Sequence, residues 1–68
     1  MKRQLRVEVN DRVVLNQDVE VTPFVIIEKG TKGYVKEETF PYYFEVEFFG
    51  NKLYWVDGLY LDVILEDK

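Results

Sequence analysis

The stretch that decides the fold is Tyr42-Tyr43-Phe44-Glu45-Val46-Glu47-Phe48-Phe49-Gly50-Asn51-Lys52-Leu53-Tyr54-Trp55-Val56-Asp57. Apolar and acidic residues alternate through its first half, which is the period-two pattern of a half-buried strand, and Gly50-Asn51 is a turn signal before a second β-rich run. The spacing predicts a hairpin. A two-residue turn at Gly50-Asn51 pairs Phe48 with Leu53, Glu47 with Tyr54 and Val46 with Trp55. Phe44, Val46, Phe48, Leu53 and Trp55 then face the core, and Glu45, Glu47, Phe49, Lys52, Tyr54 and Val56 face outward.

Upstream, Lys29-Gly30-Thr31-Lys32-Gly33 carries two glycines, suited to a tight turn followed by a bulge or a close backbone approach, before Tyr34-Val35-Lys36-Glu37 starts a strand. Downstream, Asp57-Gly58 closes the hairpin, Leu59-Tyr60-Leu61 is read as one 3₁₀ turn, and Asp62-Val63-Ile64-Leu65 as a short last strand. Near the N-terminus, Leu5, Val7 and Val9 alternate with Arg6 and Glu8 ahead of Asn10-Asp11, a pair that tolerates positive φ. This predicts an N-terminal β-hairpin whose first strand, within residues 1–11, is an addition to the domain. Leu5, Val7, Val9 and Val14 are expected on one face, and Val13 and Leu15 on the other. Between Val19 and Gly30 the alternation fails around Pro23, and a long, partly ordered loop is expected, with Phe24 to Ile27 plugging the core.

Composition supports strands throughout. Eleven Val, three Ile and eleven aromatic residues stand in a chain with no Ala, and these side chains lose rotamer freedom in helices but fit a pleated sheet. The 68 residues allow one domain, spanning 1–68, and one core. A core of this size rarely supplies more than about 3 to 5 kcal/mol. Without Cys or His, neither a disulfide nor a zinc site built from those ligands adds to it.

The same absences remove most catalytic chemistry. Cys, His and Ser are all missing, which leaves carboxylates as the only plausible acids and bases. Asp57, Asp62, Glu66 and Asp67 gather near the C-terminus in no metal-loop spacing, and they are read as a solvated acidic end. No enzyme, cofactor or metal is expected. Net charge is −4, which disfavours general binding to phosphate backbones. It is unevenly spread: Lys2, Arg3, Arg6 and Arg12 against Glu8 and Asp11 leave the first twelve residues at +2 and the rest at −6. No apolar run approaches the 18 or so residues of a membrane span, and Lys2 to Arg6 is not followed by the apolar stretch of a secretory signal. A soluble cytoplasmic protein is the expectation.

Taken in order, the elements are a strand, a long loop, a three-strand meander, a 3₁₀ turn and a final strand. That order resembles the SH3-like small β-barrel superfamily, of five to six antiparallel strands. The likeness is carried by Arg12-Val13-Val14-Leu15, by Lys29-Gly30-Thr31-Lys32-Gly33-Tyr34-Val35, by Glu45-Val46-Glu47-Phe48 and by Asp62-Val63-Ile64-Leu65, over about residues 12–66. It is similar to the small subunits of this fold in ferredoxin-thioredoxin reductase and photosystem I, and to uncharacterised bacterial and phage proteins. The resemblance implies a protein-binding module, an accessory subunit or a nucleic-acid adaptor, and brings no catalytic residue with it. The chain departs from the polyproline-binding SH3 domains, since its long loop reads Val-Thr-Pro-Phe-Val-Ile-Ile and its one Trp points inward by the expected pairing.

The expected function is therefore a non-enzymatic protein–protein interaction module, including an accessory subunit or a small phage-like regulator. Its docking surface is the outer face of the meander, with Tyr34, Phe49, Tyr54 and Val56 as apolar anchors and Lys36, Lys52, Glu45 and Glu47 among them. Phe40-Pro41-Tyr42-Tyr43 is a second aromatic contact point. One alternative is a nucleic-acid-binding barrel, disfavoured because Glu45 and Glu47 line the face that would meet phosphates. Another is a homodimer formed by pairing of the N-terminal strand with itself.

Overall fold

A computed structural model of the chain describes residues 6–65. Seven strands follow one another: β1 (Arg12–Leu15), β2 (Val19–Thr22), β3 (Val25–Ile27), β4 (Lys32–Thr39), β5 (Tyr43–Phe48), β6 (Lys52–Asp57) and, after a 3₁₀ turn at Gly58–Tyr60, β7 (Leu61–Val63). The fold is all-β, and every pairing among the described residues is antiparallel. Five strands form one sheet in the order β6-β5-β4-β1-β7, and β2 and β3 form a second. The core is shared by all of them. Val13 and Leu15 of β1, Val19 of β2, Ile27 of β3, Val35 of β4, Phe44, Val46 and Phe48 of β5, Val56 of β6 and Leu61 of β7 are buried together with Val7. Each such side chain contributes on the order of 1.5 to 3 kcal/mol by leaving water.

Two expectations upstream of the meander are corrected. The N-terminal hairpin does not form: Arg6, Val7 and Glu8 belong to no strand, and Leu5 lies outside the described residues. Asn10 does take the positive φ foreseen for it, at 80°. However, the turn closes locally, with the Asp11 N–H donating to the Glu8 carbonyl at 3.1 Å and the Glu8 N–H to Asp11 Oδ2 at 2.9 Å. The physical reason is competition for an edge. β1 has β4 on one side and β7 on the other, so no edge remains for a strand at 5–9. The Asn10 N–H instead donates to the Val35 carbonyl at 2.7 Å, and the Val35 N–H to the Asp11 carbonyl at 2.9 Å. Val7 is buried, Val9 is exposed, and the N-terminal strand expected to mediate homodimerisation is not present over residues 6–9.

The segment expected to be a long loop is a hairpin. Val19 pairs with Ile27, Glu20 with Ile26 and Thr22 with Val25, with a bulge between Glu20 and Thr22. Pro23 is harmless because it sits in the turn, where no ladder donor is needed, and the Phe24 N–H is taken by Thr22 Oγ1 at 3.1 Å. The plug is half as large as expected. Ile27 is buried and Val25 packs against the core, whereas Phe24 and Ile26 point to solvent.

Gly33 bears out the expected close approach. A Cβ there would stand 2.7 Å from the Glu47 carbonyl oxygen and 2.7 Å from Val46, so only glycine lets β4 lie this close to β5. The 3₁₀ turn also appears, one residue earlier than expected, at Gly58–Tyr60 with Leu61 already in β7. Asp57 caps it by accepting from the Leu59 N–H at 2.9 Å, and Asn16 braces it by donating through Nδ2 to the Leu59 carbonyl at 3.1 Å.

The β5–β6 hairpin exists, but its register is one residue away from the expected one. Phe48 pairs with Lys52, Glu47 with Leu53, Val46 with Tyr54, Glu45 with Trp55 and Phe44 with Val56. The turn holds three residues, Phe49, Gly50 and Asn51, with Phe49 at φ 54° and Gly50 at φ 87°. Two consecutive left-handed residues bend the chain early and leave Asn51 as the extra one. Because side chains alternate with period two, this slip exchanges the faces of β6.

Candidate functional site

The outer face of β4, β5 and β6 is built from rows that the pairing sets side by side. One row is Tyr34, Glu47 and Leu53; the next is Glu37, Glu45 and Trp55; the third is Thr39, Tyr43 and Asp57. A bulge between Val35 and Glu37 leaves both Lys36 and Glu37 exposed at the middle row. The apolar members form a contiguous exposed set: Tyr34 is 50% exposed, Leu53 49%, Trp55 48% and Tyr43 42%. Half of a large ring left in water on three adjacent strands is costly to leave uncovered.

Of the residues expected on this face, Tyr34, Phe49, Lys36, Glu45 and Glu47 are there. Lys36 Nζ lies 3.5 Å from Glu47 Oε1, a half-exposed pair that fixes side-chain direction more than it stabilises. Three expectations are corrected by the slip in β6. Val56 is fully buried, Tyr54 is half-buried with its ring centroid 6.4 Å from that of Phe48, and Lys52 stands opposite Phe48, out of the outer rows. Leu53 and Trp55, assigned to the core from the sequence, take the outward places. The inward Trp cited against polyproline binding is thus an outward one. No local signal separates the two readings, since a three-residue turn beginning at Phe49 was as available as a two-residue one at Gly50-Asn51.

At the end of the face nearest the β5–β6 turn, Arg12, Lys32, Gly33, Tyr34, Glu47, Phe49 and Gly50 line an open groove of ≈ 190 Å³. The Arg12 guanidinium lies 5.8 Å from the centroid of the Tyr34 ring, within cation–π range. The groove is smaller than the roughly 300 to 1,000 Å³ of typical small-molecule sites and has the size of one side chain. At the opposite end, the second aromatic candidate divides. Tyr42 is half-buried, edge-on to Phe44 at 5.1 Å with the Arg6 guanidinium 5.7 Å from its centroid, while Phe40 is 91% exposed beside the cis Phe40–Pro41 bond. Arg6 is held there by Glu38 at 2.7 Å.

The carboxylates do not converge. Asp57 is engaged as the 3₁₀ cap and Asp62 accepts from Asn16 Nδ2 at 3.2 Å; Glu66 and Asp67 lie outside the described residues. Among the described residues no group of three or more acidic side chains is placed to hold a metal ion, and no helix is long and apolar enough to cross a membrane. The arrangement presents an exposed face of aromatic and charged side chains. In comparisons with known proteins, no family model, no curated protein and no solved structure matches this chain.

Proposed function

We propose that this chain is an SH3-like small barrel that works as a non-enzymatic protein-binding module, docking through the outer face of β4, β5 and β6. The barrel reading is supported by the order of elements: a strand, a hairpin in the long connection, a three-strand meander, a 3₁₀ turn and a short closing strand that pairs with the first. The functional reading is carried by one observation, the contiguous exposed set of Tyr34, Leu53, Trp55 and Tyr43 on three neighbouring strands. Aromatic anchors of this kind dominate binding energy when a partner covers them, and the charges between them set orientation.

The test is capture of partners from a cell extract with the wild-type chain, with a Leu53→Ser, Trp55→Ser variant, and with Phe24→Ser. Phe24 is 94% exposed but sits on the β2–β3 turn, outside the paired rows of the outer face, so it controls for general stickiness. The double variant is expected to lose the captured protein and Phe24→Ser to keep it. Retention by the double variant would show the face to be uninvolved. Arg12 and Lys32 in the groove beside Phe49 favour the nucleic-acid alternative, which predicts salt-sensitive binding of single-stranded oligonucleotides. Glu47, which lines the same groove, and Glu45 on the same face favour the protein reading.

A further inference from the structure

We propose that the groove at the β5–β6 turn end of the outer face is a subsite for an acidic peptide, seating one apolar side chain of the partner between Tyr34 and Phe49 while a carboxylate beside it meets Lys32. The inference rests on the reading of this face as a protein-docking surface and names the chemistry of a segment that docks there. The groove is open and has a volume of ≈ 190 Å³, room for one side chain. Gly33 and Gly50 add no side chains to its lining, and Tyr34 and Phe49, 50% and 66% exposed, supply its apolar walls.

Phe49 stands there against its own backbone preference. At φ 54° it occupies the left-handed region, which Asn or Gly would enter more easily, yet the position carries a large ring turned mostly to water. Strained backbone that persists is concentrated where ligands are gripped. The sign of the groove comes from Lys32, which makes no ion pair with a described residue, together with Arg12, whose guanidinium lies 5.8 Å from the centroid of the Tyr34 ring. Glu47 on the same lining is offset by Lys36 at 3.5 Å. A carboxylate entering the groove gains a charge-assisted contact, and a basic side chain is repelled.

The rest of the face limits how far the negative charge of that partner extends. Glu37 and Glu45 pair one row along, about 7 Å beyond Glu47 at the rise of a strand, and neither makes an ion pair with a described residue. A single-stranded nucleic acid carries a charge on every nucleotide and brings phosphates to that row as well. A peptide has carboxylates only where its sequence puts them, so it can be acidic over the groove and neutral or basic over Glu45 and Trp55. Attraction at one row and repulsion at the next therefore select a peptide.

The test is titration of the isotope-labelled full chain with short capped peptides up to about 10 mM, read by backbone amide NMR shifts. A peptide in which Phe stands between Asp and Glu is expected to shift Gly33 and Gly50 saturably, with a dissociation constant of about 1 mM, in keeping with one seated side chain. Its counterpart with Asn and Gln in place of the acids, and the one with Ala in place of Phe, are each expected to bind about fivefold or more weakly. Phe49→Asn suits the left-handed turn and so stays folded, and it is expected to lose the binding. Lys32→Gln is expected to weaken binding about fivefold and Lys32→Arg to preserve it. No shift at the groove up to about 10 mM overturns the inference, as does equal binding of the uncharged peptide or equal binding by Phe49→Asn. Oligothymidylate that shifts the same amides at lower concentration than the acidic peptide overturns it in favour of a nucleic acid. These failures are distinguishable from failure of the docking reading, which the extract experiment with Leu53→Ser, Trp55→Ser decides on β6, outside the groove.

Discussion

The two faces of the meander use the same kinds of residue to opposite ends. The inner face holds Val35, Phe44, Val46, Phe48 and Val56 with Tyr54 at its margin, all withdrawn from water or nearly so; the outer face leaves Tyr34, Tyr43, Leu53 and Trp55 half in water. Composition does not distinguish them. In β5 the alternation of Phe and Val with Glu marks the inner side unambiguously. In β6 both sides are apolar, with Leu53 and Trp55 against Tyr54 and Val56, so that only the number of residues in the turn decides which pair is buried. A face can thus be assigned by pattern in one strand and by turn geometry in its neighbour.

The largest effects should come from the inner face. Tyr54→Ala and Trp55→Ala compare the two sides at adjacent positions. Chemical denaturation is expected to show a loss of about 2 to 4 kcal/mol for Tyr54→Ala, enough to unfold most of the chain, and under about 1 kcal/mol for Trp55→Ala. The opposite ranking would mean that the hairpin adopts the two-residue turn. Somewhat smaller is the cost of crowding the inner side. Gly33→Ala drives a methyl to 2.7 Å from the backbone oxygen of Glu47, and a loss of about 1 to 3 kcal/mol in the same measurement is expected. A neutral result would show that β4 and β5 can separate freely.

The turn that allots the faces carries the smallest effects, of opposite sign at neighbouring residues. Phe49 holds φ at 54° without being glycine, so Phe49→Asn, a residue more at ease there, is expected to raise the thermal midpoint by an amount equivalent to about 0.5 to 1 kcal/mol. Gly50 holds φ at 87°, and Gly50→Ala is expected to lower the midpoint by an amount equivalent to about 1 kcal/mol. Equal behaviour at both sites would remove the three-residue turn as the cause of the register.

What could be read from the sequence follows the same division. Strand positions in the meander, the close approach at Gly33 and the 3₁₀ turn after Asp57 are local in origin, since each depends on alternation or on a few neighbouring residues, and each was legible. Competition was not. Residues 5–9 alternate like a strand, yet β1 already has neighbours on both sides, a fact set by β4 and β7 far along the chain. Pro23 looked like a breaker because its place in a turn depends on Val19 finding Ile27. The candidate site was half legible for the same reason. Tyr34, Lys36, Glu45, Glu47 and Phe49 were placed correctly by β4, β5 and the turn, while Tyr54, Val56 and Lys52 were exchanged for Leu53 and Trp55 by a single residue of slip.

Gly58 has an effect that reaches beyond its own turn. Its N–H donates to the Tyr42 carbonyl at 2.7 Å, and a Cβ at Gly58 would come within 2.5 Å of the Tyr42 ring, so the 3₁₀ turn and the connection before β5 are pressed into one unit. Two surface segments remote in sequence are therefore joined by a backbone hydrogen bond and by direct packing. Substituting Gly58 would thus disturb the approach to β5 as well as its own turn.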